Sequence, residues 1–295
     1  MTRNSLTEPD ISLIVCTRDR SRMLRSCLDA LARIDFDPGR WELVVVDNGS
    51  QDDTQQTVRH FTETARFPVV LVSEPRPGLS RARNVGVQSA AAPIVAFTDD
   101  DCYVEPDYLS AMVRAFQRKE YGYIGGRVLL HDPTDARATV KEDSESAEMP
   151  PFSVVPPGFL HGANFAFRRS VWTRIGGFDP MLGAGTRFAS EDVDFVARAS
   201  GAGWLGAYVP GPTVRHHHGR KPGPEIDRLK AIYIRGIAAY LTKGCLNRAM
   251  RQSFLKYWHW HIVSRMKQGR YSDLAREFAG VAEYLGRRMI TSGKA

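Results

Sequence analysis

Four short apolar runs alternate with segments of helical period, and that alternation limits the fold more than any other feature of the chain. Residues 11–16, 41–46, 69–72 and 94–98 are rich in Val, Ile and Leu and end in polar or turn-forming residues. Runs of this kind read as strands buried on both faces. After the first, Met23, Leu24, Leu28, Leu31 and Ile34 recur at helical spacing, with Ser21 as candidate N-cap. Asp37-Pro38-Gly39 breaks the chain before the second run, and residues 54–64 and 79–90 are helical in composition. The β-α-β-α order predicts an α/β fold with a mostly parallel sheet, right-handed crossovers and helices on its faces.

Such sheets bind ligands outside the carboxyl ends of their strands. Polar residues collect at three of those ends: Thr17-Arg18, Asp47-Asn48 and Asp99-Asp100-Asp101. Each alone could be turn chemistry, but a ligand spanning all three is the simpler explanation. Three consecutive carboxylates repel one another unless a cation sits among them. All-oxygen ligands suit a hard ion, Mg²⁺ or Mn²⁺, usually shared with substrate phosphates. The competing reading is a solvated acidic turn leading into a helix, since Pro106 and Asp107 follow closely. Between the third and fourth runs, Gly78 permits a tight turn. The helix after it would offer free N–H groups to an anion, with Arg81 and Arg83 adding charge-assisted bonds or simply forming a solvated face.

Downstream, a helix through Leu109, Met112, Val113 and Phe116 and a strand over residues 123–130 are expected. Residues 131–157 are rich in Pro, Asp, Glu, Ser and Thr without periodicity, which reads as a long mobile loop, a lid or plain disorder. Strand-like alternation resumes over 160–167. A short helix at 171–175 ends in Gly176, Ser190 is a candidate N-cap for a helix opening Glu191-Asp192, and residues 204–209 form a further strand. Pro210-Gly211-Pro212 is expected to turn the chain into His216-His217-His218.

The composition, 43% hydrophobic and 25% charged over 295 residues, is that of an ordinary globular protein. No apolar run is long enough to span a membrane, and the polar first ten residues lack the apolar stretch of a signal peptide. Cys16, Cys27, Cys102 and Cys245 show neither metal-ligand spacing nor a disulfide framework, so a cytoplasmic setting is expected. The net charge of +7 fits anionic partners such as a phosphorylated substrate or a membrane surface, and equally a simple solubility property.

Taken in order, the strand at 11–17 with its polar exit, residues 44–50, residues 78–86 and Phe97-Thr98-Asp99-Asp100-Asp101 resemble glycosyltransferase family 2, the inverting enzymes of GT-A fold. Gly176-Gly177-Phe178-Asp179, Ser190-Glu191-Asp192-Val193-Asp194 and a Val-x-His element fall where that family places them. The resemblance covers about residues 11–218. It implies a sugar donor linked to a nucleoside diphosphate, with uridine the expected base. Asp47 would contact the base or ribose, and Thr17 and Arg18 would line the base pocket. Arg83, near Gly78, would hold the diphosphate or sugar. Asp99 and Asp101 would form the Asp-x-Asp pair around Mn²⁺ or Mg²⁺, with Asp100 between them at the cofactor site. His216 would be a further metal ligand, though His217 and His218 compete for that role. Asp192 is the expected base, with Glu191 an orienting neighbour or the alternative.

This reading makes residues 1–220 the catalytic domain and 221–295 a helical C-terminal extension. The extension is expected as a helix over 226–241 ended by Gly244, a second over 246–266 and a third over 271–289. In the first two, Arg228, Lys230, Arg235, Lys243, Arg248, Arg251, Lys256, Arg265, Lys267 and Arg270 face only Glu225 and Asp227. With Tyr257, Trp258 and Trp260 among them, they suit either a peripheral contact with an acidic membrane face or a cap packed on the catalytic domain. His259 and His261, two apart on a helix, do not face one metal. The acceptor, whether glycan, lipid-linked or small molecule, is unspecified, and nucleic acid is not expected. Two other functions compete. A nucleotidyltransferase would want a glycine-rich loop after the first strand, which Thr17-Arg18-Asp19-Arg20 is not. A non-catalytic scaffold of the same fold would not need its acids intact.

Overall fold

In a computed structural model, which describes residues 8–292, the first hundred residues alternate as expected. They run β1 (Ile11–Thr17), α1 (Ser21–Leu31), a 3₁₀ turn at Pro38–Arg40, β2 (Trp41–Asp47), α2 (Thr54–Thr64), β3 (Val69–Ser73), α3 (Leu79–Ser89) and β4 (Ile94–Asp99). β1 lies between β2 and β4, parallel to both, with Thr17 opposite Asp47 and Cys16 opposite Asp99. That register brings the three polar exits to one edge of the sheet. The strands are buried on both faces. Leu13, Val15, Leu43, Val45 and Ala96 pack into one core, and Ile14, Val44, Val46, Val95 and Phe97 into the other, the two-residue alternation of a pleated strand.

The chain continues through β5 (Cys102–Val104), α4 (Tyr108–Arg118), β6 (Tyr123–Leu130), β7 (Ala147–Met149), β8 (Asn164–Arg168), α5 (Arg169–Ile175), α6 (Glu191–Gly201) and β9 (Gly206–His216). The sheet order is β3-β2-β1-β4-β8-β6-β9-β5, with β7 also on β9. The first four strands are parallel. Beyond β4 the sheet is mixed, with β8 antiparallel to both β4 and β6, and β6 parallel to β9. Antiparallel pairing of β5 with β9 sets Cys102 opposite His216, which carries the histidine back to the acidic turn.

Several local expectations change in three dimensions. Pro210-Gly211-Pro212 does not turn the chain. It lies inside β9, where the pairing with β6 jumps from Tyr208–Gly125 to Thr213–Arg127. The prolines occupy a bulge, where no ladder donor is required. The strand expected from residue 160 starts at Asn164, after a turn closed by Asn164 N–H on the His161 carbonyl. Residues 131–157 contain β7 and a bridge from Val128 to Lys141. Neither serine caps its helix. The Ser21 N–H donates instead to Asp52 Oδ2 at 2.9 Å, and Ser190 has left-handed backbone, φ +84°, with no side-chain cap bond.

Three helices follow: α7 (Pro224–Leu246), α8 (Arg251–Lys267) and α9 (Tyr271–Ser292). Gly244 lies inside α7 rather than ending it, because a Cβ there would sit 2.1 Å from the Phe254 ring of α8. The glycine serves close helix packing. Phe254 is buried and Trp258 half-buried, whereas Leu255 and Trp260 are exposed. His261 bonds Glu277 and His259 is exposed. Among the described residues, no helix is long and apolar enough to cross a membrane.

Candidate active site

The acidic triplet turns sharply between β4 and β5, and each carboxylate points to a different partner. Asp100 faces back under β1, accepting from Thr17 Oγ1 at 2.7 Å and from Arg20 Nη1 at 2.7 Å. Asp101 accepts from Arg20 Nη2 at 2.8 Å through one oxygen and lies 3.2 Å from His216 Nε2 through the other. Asp99 is part-exposed and stands 3.7 Å from Arg83 Nη2. Ligand atoms of Asp99, Asp101, Cys102 and His216 all lie within 4.8 Å of one another.

The electrostatics fit a hard cation at this point. Burial pushes the Asp99 carboxyl up, Arg83 opposes it, and the Asp101 charge pushes it further up. Burial also raises Asp101, but bonds and charge from His216 and Arg20 outweigh it and hold that carboxyl well below its ordinary value. Burial would lower His216, yet Asp101 carries it above the usual imidazole range. Two neighbouring carboxylates that repel each other, beside an imidazole, make a donor set suited to Mn²⁺ or Mg²⁺. Burial, and then the Asp99 and Asp101 charges, push the Cys102 thiol well up from its ordinary value.

His216 Nδ1 is 3.1 Å from Thr139 Oγ1, whose own hydroxyl donates to the Ala138 carbonyl at 2.7 Å. Thr139 therefore accepts the Nδ1 proton and aims Nε2 at Asp101. Its backbone is left-handed, φ +53°, a strained position for a β-branched residue. The neighbouring histidines point elsewhere. His217 Nδ1 meets Tyr103 Oη at 2.9 Å, and His218 is buried against the Ala136 carbonyl and the Arg220 N–H.

A second arm of the site joins α3 to α6. Arg83 is 2% exposed, lies against the rings of Phe97, Phe165 and Phe178, and pairs with Glu191 at 2.9 Å. Gly162 sits between the two helices. Its carbonyl accepts from Arg83 Nη2 at 3.2 Å, and its N–H donates to Asp192 Oδ2 at 2.7 Å. Burial pushes the Glu191 carboxyl up to about 7, against the pull of Arg83. Asp192 is part-exposed, while Glu191 is buried. Tyr233 of α7 reaches this end of α6; burial, and then the Asp192 charge, push its hydroxyl up to about 12.

Four groups expected at the donor site have these surroundings. Asp47 is fully buried, and its oxygens accept from the Ser50 N–H and Gln55 Nε2. It braces the β2–α2 loop. Thr17 is buried against Asp100, and Arg18 is exposed beside Asp19. The Arg83 guanidinium is buried, paired with Glu191 and 3.7 Å from the part-exposed Asp99. At the start of α3, Gly78 (φ +135°) donates its N–H to Asn48 Oδ1, and the Leu79 N–H is taken by the Ala184 carbonyl.

Arg20, Thr139, Gly162 and Tyr233 were not among the residues expected at the site. Arg20 alone carried a signal, being the second arginine in a loop that exits beside three acids.

A family model described as glycosyl transferase family 2 matches residues 12–176. Among curated relatives, glycosyltransferase AglE of Haloferax volcanii is 27% identical over 198 residues, covering 67% of this chain and 64% of that protein. Validoxylamine A glucosyltransferase of Streptomyces hygroscopicus is 33% identical over 107 residues, covering 36% of this chain and 24% of that protein. The chain thus spans less than two thirds of either relative. Among solved structures, the mannosyltransferase PcManGT from Pyrobaculum calidifontis in complex with GDP-Man and Mn²⁺ superposes with a TM-score of 0.65 at 18% identity, covering 98% of this chain and 80% of that one. Residues 1–349 of S. aureus TarS in complex with UDP give 0.64 at 18% identity, covering 92% and 81%. These likenesses show a shared fold.

Proposed function

The chain belongs to glycosyl transferase family 2, and from that premise we propose that it moves a glycosyl unit from a nucleoside-diphosphate sugar to an acceptor hydroxyl, with inversion. The observation that carries this reading is the convergence of Asp99, Asp101 and His216 within 4.8 Å, beside an α6 carboxylate held by a backbone amide. Fold neighbours with bound GDP-Man and Mn²⁺, or with UDP, support the donor class. Asp99, Asp101 and His216 would hold Mn²⁺ or Mg²⁺, which when bound supplies a Lewis acid for the departing diphosphate. Arg20 and Thr17 hold Asp100, which keeps the acidic turn in shape.

Asp192 is the base. An acceptor hydroxyl is a weak nucleophile, and a fixed carboxylate that takes its proton as the new bond forms lowers the barrier. The Gly162 N–H fixes the position of that carboxylate. Glu191 is buried and engaged by Arg83, so it supports the geometry rather than exchanging protons. One available carboxylate on this side favours direct displacement, and hence inversion, over a covalent glycosyl-enzyme. Exposed Trp260 and Leu255 among the basic residues of α8 support contact with an acidic bilayer as one setting for the acceptor.

The test is slow hydrolysis of sugar nucleotides in Mn²⁺, run beside a thermal-shift screen of nucleoside diphosphates. Asp192→Asn should keep the nucleotide-induced shift and lose turnover by roughly 10²–10⁴-fold. Unchanged turnover in that variant would remove Asp192 from the role.

A further inference from the structure

Helix α9 has two apolar faces, and the described residues cover one of them. Leu274, Glu277, Gly280 and Tyr284 point inward and are buried. Glu277 receives Trp258 Nε1 and His261, and a Cβ on Gly280 would touch Ala238 of α7. The other face carries Tyr271, Ala275, Phe278, Ala282, Leu285 and Met289, all exposed. The spacing is four, three, four, three, four, the heptad repeat of a helix–helix seam. Tyr271 is 63% exposed, Phe278 51%, Leu285 37% and Met289 71%; the Phe278 ring stacks on Trp258 of α8, centroids 6.4 Å apart. Beside the seam, a Cβ on Gly286 would meet nothing within 4 Å. A mid-helix glycine costs about 1 kcal/mol relative to alanine, and the contacts among the described residues do not call for it.

We propose that this seam pairs with the same seam of a second copy, with the two α9 helices antiparallel. The sequence of large and small residues selects that occupant and that direction. With the two-fold axis at the level of Gly280, position 278 faces 282, 275 faces 285 and 271 faces 289. Phe278 then meets Ala282, Leu285 meets Ala275, and the Tyr271 ring meets the Met289 sulfur, a favourable contact. A parallel pair would set Phe278 on Phe278 and leave Ala282 facing Ala282 across a void. The area is adequate. At roughly 200 Å² per large side chain, the four exposed residues offer about 450 Å² per copy. With the alanines and Ile290, 63% exposed, two copies pass the roughly 1,000 Å² of a specific interface. The seam is separate from the Asp99–Asp101–His216 pocket, so the pairing does not depend on the proposed reaction.

Sedimentation velocity of the full chain tests it. The wild type should run at twice the 33.0 kDa of one chain by about 100 µM, where a micromolar pair is saturated. Phe278→Glu and Ala282→Phe should each run as single chains with unchanged circular dichroism. The double variant Phe278→Ala/Ala282→Phe exchanges large and small residues across the pair and should recover the doubled mass, which general loss of folding would not do. Three results would overturn the proposal. They are a single-chain mass for the wild type throughout, a doubled mass that survives Phe278→Glu, or a single chain that sediments with phosphatidylglycerol vesicles and loses that binding in Phe278→Glu.

Discussion

Replacing Arg83 with methionine isolates the ion pair that joins α3 to α6. The guanidinium is 2% exposed, bonds Glu191 at 2.9 Å, and lies 5.3–5.7 Å from three phenylalanine rings. Methionine fills most of the same volume, so the cavity cost is small and the lost charge dominates. Removing one partner of a buried pair leaves the other uncompensated and costs about 3–5 kcal/mol. For a chain of this size that corresponds to a fall in melting temperature of roughly 6–15 °C. The loss must also depend on pH. Burial already raises Glu191 from 4.5 to about 7 with Arg83 present, and the variant lacks the cation that opposed the rise. A carboxyl raised in the folded state carries no charge penalty below its unfolded value. The penalty grows as pH rises from there through the folded value. Urea unfolding of Arg83→Met should therefore show a smaller loss at pH 5 than at pH 8. Adding Glu191→Leu removes the stranded charge and should restore most of the stability at pH 8. Equal losses at both pH values, or a double variant no more stable than the single, would refute this reasoning.

Two further substitutions probe the supports of the site. Gly162→Ala would put a methyl 2.6 Å from Arg83 Nη2 and 3.0 Å from Asp192 Oδ2; a loss of about 1–3 kcal/mol from overpacking should come with a larger fall in turnover than in nucleotide affinity, read by unfolding and steady-state kinetics. Thr139→Val removes the acceptor that orients His216, and Mn²⁺ affinity measured by electron paramagnetic resonance should fall roughly 10–100-fold, while melting temperature changes little.

The parallel half of the sheet was legible because its signals are local. The strands at Ile11, Trp41, Val69 and Ile94 are apolar runs with polar ends, and α2 begins and ends where composition placed it. The acidic triplet was legible for the same reason. What escaped was non-local. Nothing near Pro210 and Pro212 reveals that a bulge against β6 will take them into a strand. Nothing near Ser21 reveals that Asp52 will receive its N–H. Nothing near Asp47 or Arg83 in sequence reveals that Ser50, Gln55 and Glu191 will be their partners in the packed fold. Gly244 shows the same ambiguity, since a glycine that ends a helix and one that admits a ring from another helix read alike.

The account depends on a cation held by Asp99, Asp101 and His216 being what receives the donor diphosphate. Titration calorimetry of a nucleoside diphosphate into the protein, with Mn²⁺ and then with EDTA, tests this most directly when wild type and Asp101→Asn are run together. Binding should require Mn²⁺ and weaken by roughly 100-fold or more in the variant. Equal affinity in EDTA and in Asp101→Asn would contradict it.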